Sequence, residues 1–168
     1  MKLLIASDIH GSAYWCGKLL DAFKSEGADK LVLLGDILYH GPRNPLPKHY
    51  SPKDVCEMLN KISDKIIAVR GNCDSEVDQM VLDFRISSDY AEIWDGSDTK
   101  ITVSHGHRPV PPMGKGDVYI TGHTHVPLDC IENAGYRHLN PGSVSLPKEN
   151  SAHGYILYDR GEFVFKYL

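Results

Sequence analysis

The chain has 168 residues, 42% of them hydrophobic and 24% charged, which is the length and balance of one globular domain able to bury about two-thirds of its unfolded surface without staples. A net charge of −4, from 22 acidic and 18 basic residues, argues against a protein that holds nucleic acid or an anionic membrane by broad electrostatic attraction. The run Leu3-Leu4-Ile5-Ala6 is too short for a signal-peptide core and no stretch approaches the ~20 apolar residues of a membrane span, so a cytoplasmic protein is expected, with residues 1–168 as a single domain.

In chain order, residues 2–7, 30–34 and 65–69 are short apolar runs bounded by turn signals, the pattern of strands buried on both faces of a sheet. Between them, Trp15, Leu19, Leu20 and Phe23 recur at helical spacing before Gly27. Val55, Met58, Leu59 and Ile62 do so after Ser51-Pro52, a cap followed by proline at the first helical position. Strand–helix alternation favours parallel strands in this half. From about residue 83 the texture turns to strand after strand: 84–87, 91–94, 100–104, 117–121, 126–131, 136–139, 154–159 and 162–168, with turns at 95–96, 133–135 and 159–161. A second sheet packed on the first, with helices outside, accommodates both textures. Proline-rich loops at 41–52 and 108–114 are candidate walls of a site. Cys16, Cys56, Cys73 and Cys130 form no CxxC pair, which fits a reducing compartment; Cys73 apart, they read as small core residues.

Chemistry concentrates at strand ends. Of nine histidines, His10, His105, His107, His123 and His125 fall in three clusters, each directly after an expected strand, and Asp8, Asp36 and Asn72 hold equivalent positions. The carboxyl ends of parallel strands form the binding edge of an open sheet, so these segments should converge. Carboxylate, amide oxygen and neutral imidazole suit Mn²⁺, Fe²⁺, Zn²⁺ or Ni²⁺, and the set is too large for one ion. Two ions roughly 3.5 to 4 Å apart sharing a carboxylate would use it fully. Each motif alone has a plainer reading as a helix cap, a turn or an ordinary histidine.

Together, Asp8-Ile9-His10, Gly35-Asp36, Gly71-Asn72-Cys73-Asp74, His105-Gly106-His107 and Gly122-His123-Thr124-His125 resemble the calcineurin-like metallophosphoesterase superfamily. The stretch 71–80 and Asn140-Pro141-Gly142-Ser143 narrow the likeness to the small bacterial YfcE-like phosphodiesterases. The resemblance implies an α/β fold of two mixed sheets packed face to face as a sandwich with helices on the outer faces, in four αββα layers. It implies that Asp8, His10 and His125 bind one metal, that Asn72, His105 and His123 bind a second, and that Asp36 bridges them. Residues two apart on extended backbone project alike, so each His-x-His or Asp-x-His pair can address one cluster. Two divalent ions, most simply Mn²⁺ with Fe, Zn or Ni as alternatives, would then activate a hydroxide to attack a phosphodiester.

Cys73 stands where the wider superfamily usually has a histidine. A thiol is a poor donor to a departing alkoxide, so activated leaving groups should be favoured. His107 is expected near the site as a hydrogen-bonding group, and Asp74 as an orienting partner. Arg43, Lys48 and Arg108 read as solvated, and His40, His49, His138 and His153 as ordinary histidines. The alternatives are a phosphomonoesterase on the same site and a non-catalytic scaffold, since a retromer subunit resembles this fold. No membrane and no stable nucleic-acid partner is expected; exposed strand edges leave self-association open.

Overall fold

The computed structural model describes residues 1–96 and 99–168. The chain runs β1 (Lys2–Ala6), α1 (Ala13–Ser25), β2 (Lys30–Leu33), α2 (Pro52–Asn60), β3 (Ile66–Ala68), α3 (Glu76–Val81), β4 (Tyr90–Trp94), β5 (Lys100–Ser104), β6 (Val118–Ile120), β7 (Pro127–Ile131), β8 (Arg137–Pro141), β9 (Gly154–Asp159) and β10 (Glu162–Tyr167). Two five-stranded sheets result, ordered β10-β9-β1-β2-β3 and β4-β5-β6-β8-β7. In the first, β1, β2 and β3 are parallel, β9 runs antiparallel to β1, and β10 runs antiparallel to β9 at the edge. In the second, β5, β6 and β8 are parallel, flanked by antiparallel β4 and β7.

The period of two in β1 and β2 explains the sandwich. Leu4, Ala6, Leu31 and Leu33 point toward α1 and α2, where Cys16, Leu19, Val55 and Leu59 complete one apolar cluster. Leu3, Ile5, Val32 and Leu34 point the other way, onto Ile93, Ile101, Val103, Val118, Ile120 and Leu139 of the second sheet. A strand buried on both faces needs an unbroken apolar run, which is what residues 3–6 and 31–34 supply. β5 is buried on both faces but apolar on only one, so Ile101 and Val103 alternate with buried Thr102 and Ser104, and the Ser104 and Tyr119 hydroxyls meet at 2.7 Å.

The expected strand at 84–87 does not form. Phe84 and Ile86 alternate into the helix-side cluster, but their backbone is held by a side chain: Gln79 Nε2 donates to Phe84 O at 3.0 Å, and Ile86 N donates to Gln79 Oε1 at 2.7 Å. With those groups satisfied, the segment needs no ladder. Ile62 lies past the end of α2 in a turn, and Ser51 occupies its N-cap without a side-chain bond. Of the cysteines expected in the core, Cys16 is buried, whereas Cys56 and Cys130 are half-buried.

Candidate metal centre

Asp8 follows β1, Asp36 follows β2, Asn72 follows β3, His105 follows β5 and His123 follows β6, so the carboxyl ends of parallel strands from both sheets meet at one edge. The loops there are tightly turned. Asp8, His10, Asp36, His123 and His125 all have φ between 48° and 68°, a left-handed conformation that costs side-chain-bearing residues about 1–3 kcal/mol each. Two glycines let the loops approach: a Cβ on Gly71 would lie 2.1 Å from Asp36 Oδ1, and one on Gly122 would lie 1.8 Å from Ser7 Oγ.

The donor atoms face one another. His10 Nε2 and His125 Nε2 are 3.2 Å apart, and lie 3.4 and 3.1 Å from Asp8 Oδ1. Asp36 Oδ2 lies between the two halves, 3.7 Å from His10 Nε2 and 3.3 Å from His105 Nε2. On the far side His105 Nε2 is 3.0 Å from Asn72 Oδ1 and 3.3 Å from His123 Nδ1. Backbone carbonyls set the tautomers. The Nδ1 atoms of His10, His105 and His125 donate to the carbonyls of Tyr39, Leu34 and Leu146 at 2.8, 2.7 and 2.6 Å, which aims each Nε2 inward, a free lone pair whenever the ring is neutral. Asp8 Oδ1 is buried with no hydrogen-bond donor. A buried carboxylate oxygen ringed by imidazole lone pairs is what a cation site looks like from the protein side.

Supporting residues hold this frame. The Asp74 carboxylate accepts the backbone N–H groups of Asp36, Ile37 and Gly71 at 2.9, 2.8 and 2.7 Å, tying the loop after β2 to that after β3. Ser143 and Ser145 hydroxyls donate to Asp8 O, and Asn140 Nδ2 donates to Gly122 O and Thr124 Oγ1. The 140–145 segment therefore ties the loop that carries Asp8 to the loop that carries His123 and His125.

The electrostatics match. Burial disfavours charge on Asp8, yet the rings of His10 and His125 hold its carboxyl well below the usual range. Asp36 is likewise held low against burial by His105, whose own pKa is raised to about 9 because Asp36 and Asp8 outweigh burial. Burial and His105 lower His123. Burial first, and then Asp36, push the Cys73 thiol up to about 12, so it stays neutral while its backbone N–H donates to Asp36 Oδ1 at 2.8 Å. His107 is kept neutral by burial and by His105, 5.4 Å away between ring centroids, and its Nδ1 is buried without a partner.

Beside these donors lies a cavity of about 320 Å³ lined by Asp36, Asn72, Cys73, His123 and His125 together with Gly41, Pro42, Arg43, Asn44 and Lys148. The loop beginning at residue 41 thus forms a wall. The 108–114 loop does not: Arg108 pairs with Asp89, and Pro109 O accepts from the Tyr90 hydroxyl. Arg43, expected to be merely solvated, lines the cavity; Lys48 instead sits over the Tyr14 ring, 3.5 Å from its centroid. Lys148 carried no signal in the sequence, because it lies in a loop just past the Asn140–Ser143 stretch and belongs to no motif of its own.

The sequence profile of the calcineurin-like phosphoesterase superfamily domain matches residues 1–162. Phosphodiesterase YfcE of Escherichia coli K12 is 45% identical over 163 residues, covering 95% of this chain and 89% or 88% of that protein in its solved structure and its sequence, and the solved E. coli phosphoesterase YfcE superposes with a TM-score of 0.90. A structure of an archaeal phosphodiesterase, 21% identical, covers 100% of both chains with a TM-score of 0.71 and shares the fold. Matched over nearly its whole length, with the strand-end motifs converging as described, the chain belongs to the calcineurin-like phosphoesterase superfamily.

Proposed function

We propose that the chain is a metal-dependent phosphoric diester hydrolase with a dinuclear centre, and that Asp36 Oδ2, set between His10 Nε2 and His105 Nε2, is the observation that carries the reading. Asp8, His10 and His125 would hold one divalent cation, Asn72, His105 and His123 the other, and Asp36 both. Oxygen donors with a few imidazoles suit Mn²⁺ first, with Fe, Zn or Ni as alternatives. Bound there, such cations supply Lewis acidity toward phosphoryl oxygens and bring the pKa of water toward ~7. The curated E. coli relative bears the name phosphodiesterase, and the cytoplasmic reading fits four free thiols.

The remaining work falls to this chain's own groups. Arg43 and Lys148 put positive charge on the cavity wall, where a phosphodiester anion would lie. His107, neutral and with an unpartnered Nδ1, can hydrogen-bond an ester oxygen. The Cys73 thiol, pushed up to about 12, keeps its proton too tightly to give much help to a departing alkoxide, so leaving groups able to carry their own charge are favoured, esters of acidic alcohols over alkyl phosphomonoesters. The full donor set speaks against a purely structural scaffold.

The test is turnover of a panel of phosphodiesters of graded leaving-group pKa, with matched monoesters, after reconstitution with Mn²⁺. Diester hydrolysis should exceed that of the monoesters, and Asp36→Asn should lower kcat/KM by more than the ~10–100-fold expected of a merely supporting partner. Undiminished turnover by Asp36→Asn would remove the bridge, and a loaded protein inert to every ester would leave the scaffold reading standing.

A further inference from the structure

A second group of ligand-type side chains lies on the β7–β8 hairpin, on the second sheet. Cys130 and His138 are cross-strand partners in the antiparallel register, and Glu132 follows Cys130 by two residues. Their ligating atoms all lie within 4.8 Å of one another. Cys130 Sγ is 3.8 Å from Glu132 Oε1, which is 3.1 Å from His138 Nδ1. Tetrahedral coordination at ordinary Zn–S, Zn–N and Zn–O lengths requires about 3.6 Å between S and O and about 3.4 Å between N and O. The observed separations sit within a few tenths of an ångström of both.

We infer that Cys130, Glu132 and His138 form a Zn²⁺ site separate from the catalytic centre, with water as the fourth ligand. The donors differ in kind from the catalytic set: a thiolate selects a softer ion, so zinc is favoured here and Mn²⁺ is not. A thiolate and a carboxylate together neutralise the ion, as a half-buried position requires. The neighbouring Arg137 guanidinium does not serve the cluster, because it is engaged bidentately by Asp129 at 2.9 and 2.8 Å. Burial and Glu132 accordingly raise the Cys130 thiol.

His138 is set up for the exchange. Its Nε2 meets the Thr121 hydroxyl at 2.9 Å, and a hydroxyl can donate or accept. In the free site Nδ1–H donates to Glu132 and Nε2 accepts from Thr121. On coordination the ring carries its proton on Nε2 and donates to Thr121, Nδ1 takes the ion, and the thiol releases one proton to solvent. Thr121 directly precedes Gly122-His123, so the site would brace the strand that delivers a catalytic donor.

The experiment uses the full chain saturated with Mn²⁺ and titrated with Co²⁺ as a coloured stand-in for zinc. Cys73 shares a donor group with His10 and Asp36, so it is the necessary control. A near-ultraviolet thiolate-to-cobalt band should appear in the wild type and in Cys73→Ser and be absent from Cys130→Ser, and excess Zn²⁺ should erase it. His138→Gln, which retains hydrogen-bonding capacity toward Glu132 and Thr121, should weaken cobalt binding by ~10-fold or more. After zinc loading and dialysis, Cys130→Ser should retain about one equivalent less zinc than the wild type, as one lost site requires. A band that survives in Cys130→Ser but vanishes in Cys73→Ser, or no band in any form, would overturn the proposal. These readouts are independent of ester hydrolysis, so they stand or fall apart from the catalytic reading.

Discussion

Five side chains of the centre ride on left-handed backbone, and the hydrogen bonds around them make that conformation persist. Asp74 illustrates the device. Its two oxygens satisfy three backbone N–H groups of the loops that carry Asp36 and Asn72, all buried. In Asp74→Asn one oxygen becomes an NH₂ that cannot accept, so at least one buried N–H loses its partner. The expected cost is about 2–3 kcal/mol of stability, measured by urea unfolding. Because Asp36, the proposed bridge, shifts with its loop, kcat/KM should also fall by about 10–100-fold. Full activity at full stability would show that Asp74 does not position the bridge. Asp8, Asp36 and the strand-end histidines were legible in the sequence because each follows an apolar run and belongs to a residue type that binds cations. Ser145 was not, and Asn140 and Ser143 stood out only as part of a stretch that carries the resemblance, without a role, because a hydroxyl or amide that serves the backbone of a distant loop has no local signature of that task.

Among the elements, α3 is the instructive one. Its six residues are too few to stand alone, and its start is fixed by Ser75, whose hydroxyl accepts from Asp78 N at 3.2 Å while Asp78 Oδ2 accepts from Ser75 N at 2.8 Å. Ser75→Ala should therefore cost about 1 kcal/mol, read as a shift in the urea midpoint at unchanged slope. Since Gln79 on the same helix holds the backbone of Phe84 and Ile86, hydrogen exchange should quicken across residues 76–88 and not in β1. Uniform acceleration would mean that the helix is not a separate local unit. The Ser-x-x-Asp signal was present in the sequence and Val77, Met80 and Val81 fall at helical spacing, but six residues are too short a window for that pattern to announce a helix, and the three side chains stay exposed. The alternation at 84–87 was real as burial and misleading as secondary structure, because period two marks which side chains turn inward, not what satisfies the backbone. β1, β2, β5 and β6 were legible because burial demands their pattern. That β9 and β10 close the first sheet was not, because strand partners are set by packing at long range.

At the scale of the whole molecule, a negatively charged chain gathers carboxylates and imidazoles into one buried pocket, and its stability without metal must depend on protons held there. Asp8 and Asp36 titrate below their ordinary range, so their contribution is present above about pH 4 and is lost as pH falls further. His105 titrates at about 9, above its unfolded value near 6.5, so its contribution is complete below about 6.5 and is lost as pH rises through about 9. His10 is shifted in the same direction by Asp8 against burial. The metal-stripped chain should thus be most stable between about pH 4 and 6.5 and lose stability on the order of 3 kcal/mol by pH 9. Metal loading requires these imidazoles to be unprotonated, so the loaded chain escapes that loss and divalent affinity rises over the same window. The difference in Tm between Mn²⁺-loaded and chelator-treated protein should widen steadily from pH 6.5 to 9, and protons should be released on Mn²⁺ addition at pH 7.5. Calorimetry in two buffers of different ionisation enthalpy measures that release directly. A Tm difference that narrows with pH, or binding with no proton release, would mean that the imidazoles are already neutral and that the carboxylates face uncharged rings.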